Sequence, residues 1–176
     1  MKTAMTLSWK QHFIDLAEYH YWANEVLFRS LDVLPHSKLA ANEGLFFGSA
    51  LNTLNHILVG TRIWFGRLRH DDPKHLRLDE VLQTDWGELK QALHGELRAV
   101  QAWLARQSEA VFEGELAYTN IRGEPFRTQV AEVLTHMFLH IQHHRGQVSV
   151  AATRLGAPSP EMDYIFWCRA KAAGTA

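Results

Sequence analysis

Four histidines lie within nine residues of the segment THMFLHIQHHRGQ, at His136, His140, His143 and His144. Two imidazoles at positions i and i+4 of a helix can bind one metal ion. This spacing occurs twice, in His136/His140 and in His140/His144. The segment lacks the glutamate that acts as general base in H-E-x-x-H proteases, and the Glu-x-x-His pairs of di-iron bundles are also absent. The pattern therefore indicates a metal site and disfavours those two classes of enzyme.

Spacing alone also allows these histidines to bind no metal, because a chain with 11 histidines can show this spacing by chance. On a helix, His136, His140, His144 and Gln147 lie along one line, at the flank of the apolar stripe that contains Met137. A bundle would place a site lining its interior there, yet hydrogen-bonded or solvated histidines would give the same pattern. The single histidines elsewhere are predicted to be surface or hydrogen-bonded structural groups: His12, His20, His36, His70, His75 and His94.

A third ligand is available in the segment LNTLNHILVG, which contains His56. Apolar residues flank this histidine, and an imidazole in apolar surroundings is costly unless it has a partner. His56 also lies away from the stripe that Leu54, Leu58 and Phe65 form on a helix. We therefore expect this helix to bury two faces, one in the bundle and the other against a second subunit.

The elements that must position these histidines are helices. Apolar residues recur at three- and four-residue steps in four long segments, each bounded by cap or stop residues. The predicted helices span 9–33 (after Ser8), 49–70 (Ser49 as cap), 85–107 (Thr84 as cap), 128–156 (from Thr128 to Gly156) and a short 159–171 (opened by Ser159 and Pro160). Residues 112–129 lack helical periodicity and predict a loose hairpin or extended crossover. We expect an all-α four-helix bundle forming one domain over residues 1–176.

Composition narrows the function classes. The net charge is −1 and the sequence pI about 6.8, so no basic face for nucleic acid is expected. Cys168 is the one cysteine in the chain, which excludes an internal disulfide and is typical of a reducing compartment. No signal peptide or membrane-spanning stretch is recognisable. The sequence predicts a soluble cytoplasmic protein with no membrane partner.

Four segments resemble the DinB/YfiT-like family of metal-binding bundles, and they follow the family's order along nearly the whole chain. They are YHYWANEVLF with its W-A-N pattern, LNHILVGTRIWFGRL with N-H-I, LTHMFLHIQHHRGQV with H-x-x-x-H-x-x-x-H-R-G-Q, and LGAPSPEMDYIFW. The resemblance implies metal ligands at His56, His140 and His144, and so favours the second histidine pair. It leaves His136, Gln147 and Asn24 as candidates to contact or orient the ligands. Three protein nitrogens leave a coordination position for water or substrate.

The same resemblance implies a function. Relatives include thiol-dependent S-transferases and a mycothiol-dependent isomerase, so we expect a divalent transition metal, zinc or nickel, that activates a small thiol toward an electrophile. Hydrolysis by a metal-activated water uses the same ligands, and a non-catalytic stress-response protein with a structural metal is the alternative. The resemblance implies a homodimer, and the aromatic and apolar excess on the first two helices leads to the same expectation. No catalytic residue is assigned.

Overall fold

The computed structural model describes residues 8–71, 73 and 75–175. Four long helices form the predicted bundle, and three short helices and one hairpin connect or follow them. In chain order the elements are α1 (Trp9–Leu31), α2 (His36–Leu39), α3 (Ala50–Leu68), α4 (Trp86–Arg106), α5 (Glu109–Glu113), β1 (Glu115–Thr119), β2 (Pro125–Gln129), α6 (Val130–Arg154) and α7 (Tyr164–Ala172).

Each long helix packs against two others. α1 contacts α4 and α6, and α3 contacts the same two helices. α1 and α3 are therefore diagonal to each other, as are α4 and α6. The interior holds apolar side chains from all four helices, among them Phe13, Leu58, Leu97 and Ile141, each at most 3% exposed. The pair that carries the histidines, α3 and α6, lies side by side.

Helix starts follow local hydrogen bonding. The side chains of Ser8, Ser49 and Asp85 each accept a hydrogen bond from a backbone N–H in the first turn of α1, α3 and α4. Such caps satisfy amides that have no partner within the helix. The predicted long helices are confirmed to within two residues at every end. The cap of α4 is Asp85, however, and not Thr84.

The starts of the last two helices differ from the prediction, that of α6 by two residues and that of α7 by five. Thr128 does not open a helix, because it pairs with Leu116 in the β ladder, and α6 begins at Val130. The last helix begins at Tyr164 with Asp163 as its cap, and not at Ser159 and Pro160. The chain before it is tied to α1 by side chains that bond its carbonyls: Ser30 Oγ donates to Pro158, and Tyr19 Oη donates to Met162 at 2.8 Å. Those contacts hold these residues outside helical geometry.

The hairpin confirms the non-helical prediction for residues 114–129, whereas Phe112 and Glu113 belong to the short helix α5. β1 and β2 pair antiparallel, from Glu115 opposite Gln129 to Thr119 opposite Pro125. Gly123 adopts φ +80° in the turn, a left-handed conformation that costs glycine little. The hairpin contacts α3 and α6, so it lies beside the two helices that carry the histidines.

α3 is buried on both faces, as the sequence indicates, with 16 of its 19 residues buried. Residues 76–83 of the same chain, here called the cover segment, lie against its second face. Asn55 Oδ1 accepts from the backbone N–H groups of Leu82 and Gln83, both at 2.9 Å. The aromatic residues on α1 and α3 also pack within the chain: Trp22 against Tyr19, and Trp64 against Tyr118. Within the described residues, none of the helices is long and apolar enough to cross a membrane.

Candidate metal centre

Three imidazoles converge between α3 and α6. Candidate ligand nitrogens of His56, His140 and His144 all lie within 4.8 Å of one another, and Nε2 of His56 is 3.0 Å from Nε2 of His140. Nitrogens bound tetrahedrally at about 2.0–2.1 Å from zinc lie about 3.3 Å apart. The cluster therefore needs only small side-chain adjustments to hold one ion.

Hydrogen bonds fix the tautomers of two of these rings. His56 Nδ1 is 2.7 Å from the carbonyl oxygen of Leu78 in the cover segment, and His144 Nδ1 is 2.9 Å from Oε1 of Gln147. Both oxygens only accept, so each Nδ1 carries the proton and donates it. The Nε2 lone pairs of both rings are left for a metal. Ligating histidines in metalloproteins are commonly oriented in this way.

The histidine cluster is held in the neutral form. Burial, followed by the neighbouring His144 and His56, lowers the pKa of His140 to about 3. Burial also lowers the pKa of His56 and of His144, against the opposing effect of their hydrogen bonds to Leu78 and Gln147. Neutral imidazole is the form that binds a metal, so the site is ready for a cation near neutral pH. The donor set fits a divalent transition metal.

Phe47 covers the cluster from the loop before α3. Its ring stacks on His56 with centroids 3.9 Å apart and an interplanar angle of 20°, and its edge meets His144 at 5.7 Å. A tight turn places it there, closed by the Gly48 N–H donating to the Leu45 carbonyl at 2.8 Å. Sequence reasoning missed Phe47, because an aromatic residue in a loop carries no periodic signal.

Gly60 lies one turn after His56 on α3 and lets α6 approach closely. A Cβ at position 60 would lie 2.8 Å from Cε1 and 3.3 Å from Nδ1 of His140. Real Cβ atoms do not approach neighbours that closely, so the imidazole of His140 needs glycine there. The available signal was a lone glycine inside an apolar helical segment, which often marks close packing.

Asn55 precedes His56 and secures the cover segment. Besides accepting from Leu82 and Gln83, it donates through Nδ2 to the carbonyls of Leu51 and Gln83 at 3.1 and 2.9 Å. All its hydrogen-bonding positions are thus used. Because Leu78 in the same segment accepts from His56, Asn55 helps to position the carbonyl that orients this histidine.

The other residues predicted near the ligands have different surroundings. Gln147 contacts His144, as described, and also lies 3.2 Å from Nε2 of the exposed His143. His136 packs edge-on against Trp64 at 4.9 Å and is further from the cluster, with its ring centroid 5.9 Å from that of His140. Asn24 is buried on α1 but is not among the described residues that line the cavity beside the histidines.

Arg145 follows His144 in sequence, but its side chain extends from α6 toward α1 and is 1% exposed. Its guanidinium donates to Nδ1 of His20 at 2.9 Å, Oη of Tyr19 at 3.0 Å and Oε1 of Gln142 at 2.7 Å. Burial, and then the charge of Arg145, hold the pKa of His20 well below its usual value. This network joins α6 to α1 and makes Arg145 a helix–helix contact.

A cavity of about 730 Å³ opens onto the three imidazoles. Its walls come from α3, α6, the turn that carries Phe47, the cover segment and the hairpin. Pockets for small-molecule ligands typically have volumes of about 300–1,000 Å³. A small molecule can therefore reach the histidines directly from solvent.

The fold and the site together define a helical-bundle protein with a three-histidine candidate metal centre at the base of a cavity. The model of the DinB family matches residues 1–173, and the chain belongs to this family. It is also similar to Protein DinB of Bacillus subtilis (strain 168), with 28% identity over 156 residues that cover 85% of this chain and 89% of that protein.

Proposed function

We propose that the protein binds one divalent transition metal, zinc or nickel, through His56, His140 and His144. One observation carries the proposal. The Nδ1–H groups of His56 and His144 donate hydrogen bonds to the Leu78 carbonyl oxygen and to Oε1 of Gln147, which leaves both Nε2 atoms for a shared ion. Among the described residues, the cluster consists of these three imidazoles, without a thiolate or carboxylate. Three imidazoles suit zinc and nickel, so ligand type alone does not select between them.

We propose further that the site is catalytic. Three protein ligands and an accessible cavity are the arrangement of catalytic metal sites, in which another position takes water or substrate. A bound divalent metal lowers the pKa of a thiol or water and so supplies a nucleophile near neutral pH. Hydrogen bonds orient the rings of His56 and His144, and Phe47 shields one side of the cluster from solvent. Thiol transfer to an electrophile is our first candidate reaction, and hydrolysis is the second.

The alternative is a stress-response protein in which the metal only ties α3 to α6. The structure gives this alternative some support, since the cluster joins two neighbouring helices. A purely structural metal would be retained under mild chelation, and its loss would lower stability. A catalytic metal would exchange ligands through the cavity.

Metal content gives the direct test. Purified protein loaded with zinc or nickel should hold one equivalent by elemental analysis, and His140→Ala should abolish it. His75→Ala is the matched control, because His75 is exposed and outside the cluster. His94 is a poorer control, since its ring packs against Tyr21 at 4.4 Å and Phe28 at 5.0 Å. Wild-type protein without stoichiometric metal would refute the metal centre.

Activity assays distinguish a catalytic metal from a structural metal. We would assay glutathione or 2-mercaptoethanol with 1-chloro-2,4-dinitrobenzene, and 4-nitrophenyl acetate without thiol. Turnover that disappears in His140→Ala and is unchanged in His75→Ala supports the enzyme. Stoichiometric metal without turnover in either assay favours the structural reading.

We propose a cytoplasmic location, supported by the free Cys168. A homodimer also remains a proposal, which light scattering would test. Trp22 and Trp64 contact Tyr19 and Tyr118 of their own chain, so other side chains would have to supply part of a dimer contact.

A further inference from the structure

Exposed apolar side chains concentrate at the mouth of the cavity. Phe46 is 86% exposed, Ile121 71%, Phe126 45% and Leu78 41%, and all four line the cavity. They come from three separate stretches: the turn before α3, the cover segment and the hairpin. Single exposed apolar residues are ordinary on a protein surface, whereas a group of them around one concavity marks a binding site.

The interior of the cavity continues this apolar surface. Ile63 and Trp64 of α3 and Tyr118 of β1 line it, together with Phe47 at the histidines. Tyr118 stacks on Phe126 across the hairpin, with centroids 5.8 Å apart and an interplanar angle of 22°. Aromatic rings bind other rings through offset-stacked or edge-to-face contacts. Walls of this kind favour a flat aromatic occupant.

The charged groups at the cavity are engaged within the protein. The Arg67 guanidinium lies 4.7 Å from the Trp64 ring and 4.9 Å from the Tyr118 ring, and it donates to the Thr119 carbonyl at 3.0 Å. Asp79 forms an ion pair with Arg77 at 3.0 Å. Most of the other described residues that line the cavity are apolar or aromatic, so the walls offer an occupant mainly apolar surface.

We propose that the cavity takes a molecule with an aromatic, apolar body and one donor group that reaches the histidine-bound metal. This inference rests on the proposed metal site and specifies the substrate that the site serves. A small polar thiol or ester alone would leave Phe46, Ile121 and Phe126 in water. An aromatic body covers them and removes apolar surface from solvent, which is the main favourable contribution to such binding.

A hydroxamate series tests the proposal, because its members share one metal-binding head group. Calorimetric titration of zinc-loaded protein should show 2-naphthohydroxamate binding at least about tenfold more tightly than acetohydroxamate, as expected from the added buried apolar area. Phe46→Ala should reduce that ratio several-fold. Leu139→Ala is the control, since Leu139 is equally apolar and 63% exposed but lies outside the cavity. Equal affinities across the series would overturn the inference.

A second measurement separates this inference from the metal proposal. N-phenyl-1-naphthylamine is a neutral aromatic probe whose fluorescence rises in apolar surroundings, and it needs no metal. Metal-free protein should bind it saturably, and Phe46→Ala should weaken binding while Leu139→Ala does not. Metal binding without probe binding would refute the aromatic occupant alone. Probe binding without stoichiometric metal would refute the metal site and leave the aromatic cavity standing.

Discussion

The imidazole of His140 occupies the space that a side chain on Gly60 would need. A Cβ at position 60 would lie 2.8 Å from Cε1 of His140. The two residues belong to neighbouring helices, α6 and α3, so their contact sets how closely the helices approach at the histidine cluster. The geometry of the candidate metal site therefore depends on a residue with no ligand atom.

Replacing Gly60 with alanine tests this dependence. The far end of the His140 side chain can move, so we expect Gly60→Ala to fold. The displaced imidazole should lower metal affinity by at least about tenfold, as for changes to residues that orient ligands. Competition titration against a chromophoric chelator would measure the affinity, and thermal unfolding would confirm the fold.

Gly95→Ala is the matched control for that variant. Gly95 is also within a long helix, α4, and a Cβ there would meet no atom within 4 Å. It should gain up to about 1 kcal/mol of stability from helix propensity and bind metal normally. Wild-type affinity in Gly60→Ala would show that the close approach does not constrain the site.

Asn55→Ala should weaken metal binding although Asn55 is not a ligand. The variant removes the acceptor for the N–H groups of Leu82 and Gln83 and so loosens the segment whose Leu78 carbonyl orients His56. We expect a loss of about 10- to 100-fold in affinity and of about 2 kcal/mol in unfolding free energy. Asn52→Ala on the same helix should change neither quantity. Titration and urea unfolding of the two variants would show whether the cover segment supports His56.

Arg145→Met should destabilise the fold. It leaves the acceptors on His20, Tyr19 and Gln142 without their buried donor, while relief of the desolvated cation offsets part of the loss. We expect a net decrease of about 2–4 kcal/mol in the free energy of unfolding, measured in urea. Arg154→Met, at an exposed position near the end of α6, should stay within about 0.5 kcal/mol of wild type. Similar values for both variants would argue against a structural role of the buried network.

Stability of the metal-free protein should fall in mild acid. The pKa of buried His20 lies well below 6.5 in the folded protein, so only the unfolded chain gains its proton as the pH drops through about 6.5. The contribution of His20 is therefore complete above about pH 6.5 and is lost progressively below it. Each such histidine adds at most about 1.4 kcal/mol per pH unit to the slope.

Substitution of His20 measures how much this residue contributes to the change of unfolding free energy with pH. His56, His94, His136, His140 and His144 also have lowered pKa values and act in the same direction. Unfolding free energies measured between about pH 6.5 and 5 should rise less steeply with pH in His20→Asn than in wild type. His75→Asn, at an exposed residue, should keep the wild-type slope. An unchanged slope in His20→Asn would contradict the prediction.

The sequence could predict features that depend on periodicity and spacing. Leu89, Leu93, Leu97, Val100 and Leu104 mark α4 by their repeat alone, and all are buried. Likewise, i and i+4 spacing on α6 indicated a shared ion for two histidines, although only the family resemblance chose His140 and His144. Features that depend on loops could not be predicted. Phe47 reaches His56 through a turn, and Leu78 reaches it from a segment 22 residues away in sequence.

Helix starts failed where tertiary contacts overrode local signals. Ser159 and Pro160 form a good helix start in isolation, but the carbonyls of Pro158 and Met162 bind side chains of α1 instead. Thr128 could cap a helix, but in the structure it lies in β2 and pairs with Leu116. Both outcomes are decided by residues more than ten positions distant, which a local pattern does not contain.

The hairpin also has a consequence for redesign. Tyr118, Ile121 and Phe126 shape the cavity from one short stretch of chain, whereas the three histidines are carried by α3 and α6. The proposed ligand-binding wall and the candidate metal ligands therefore lie in separate stretches of the chain. A library confined to codons 118–126 would vary one wall of the cavity and leave the three histidines unchanged, which makes this bundle a practical starting point for selecting new ligands.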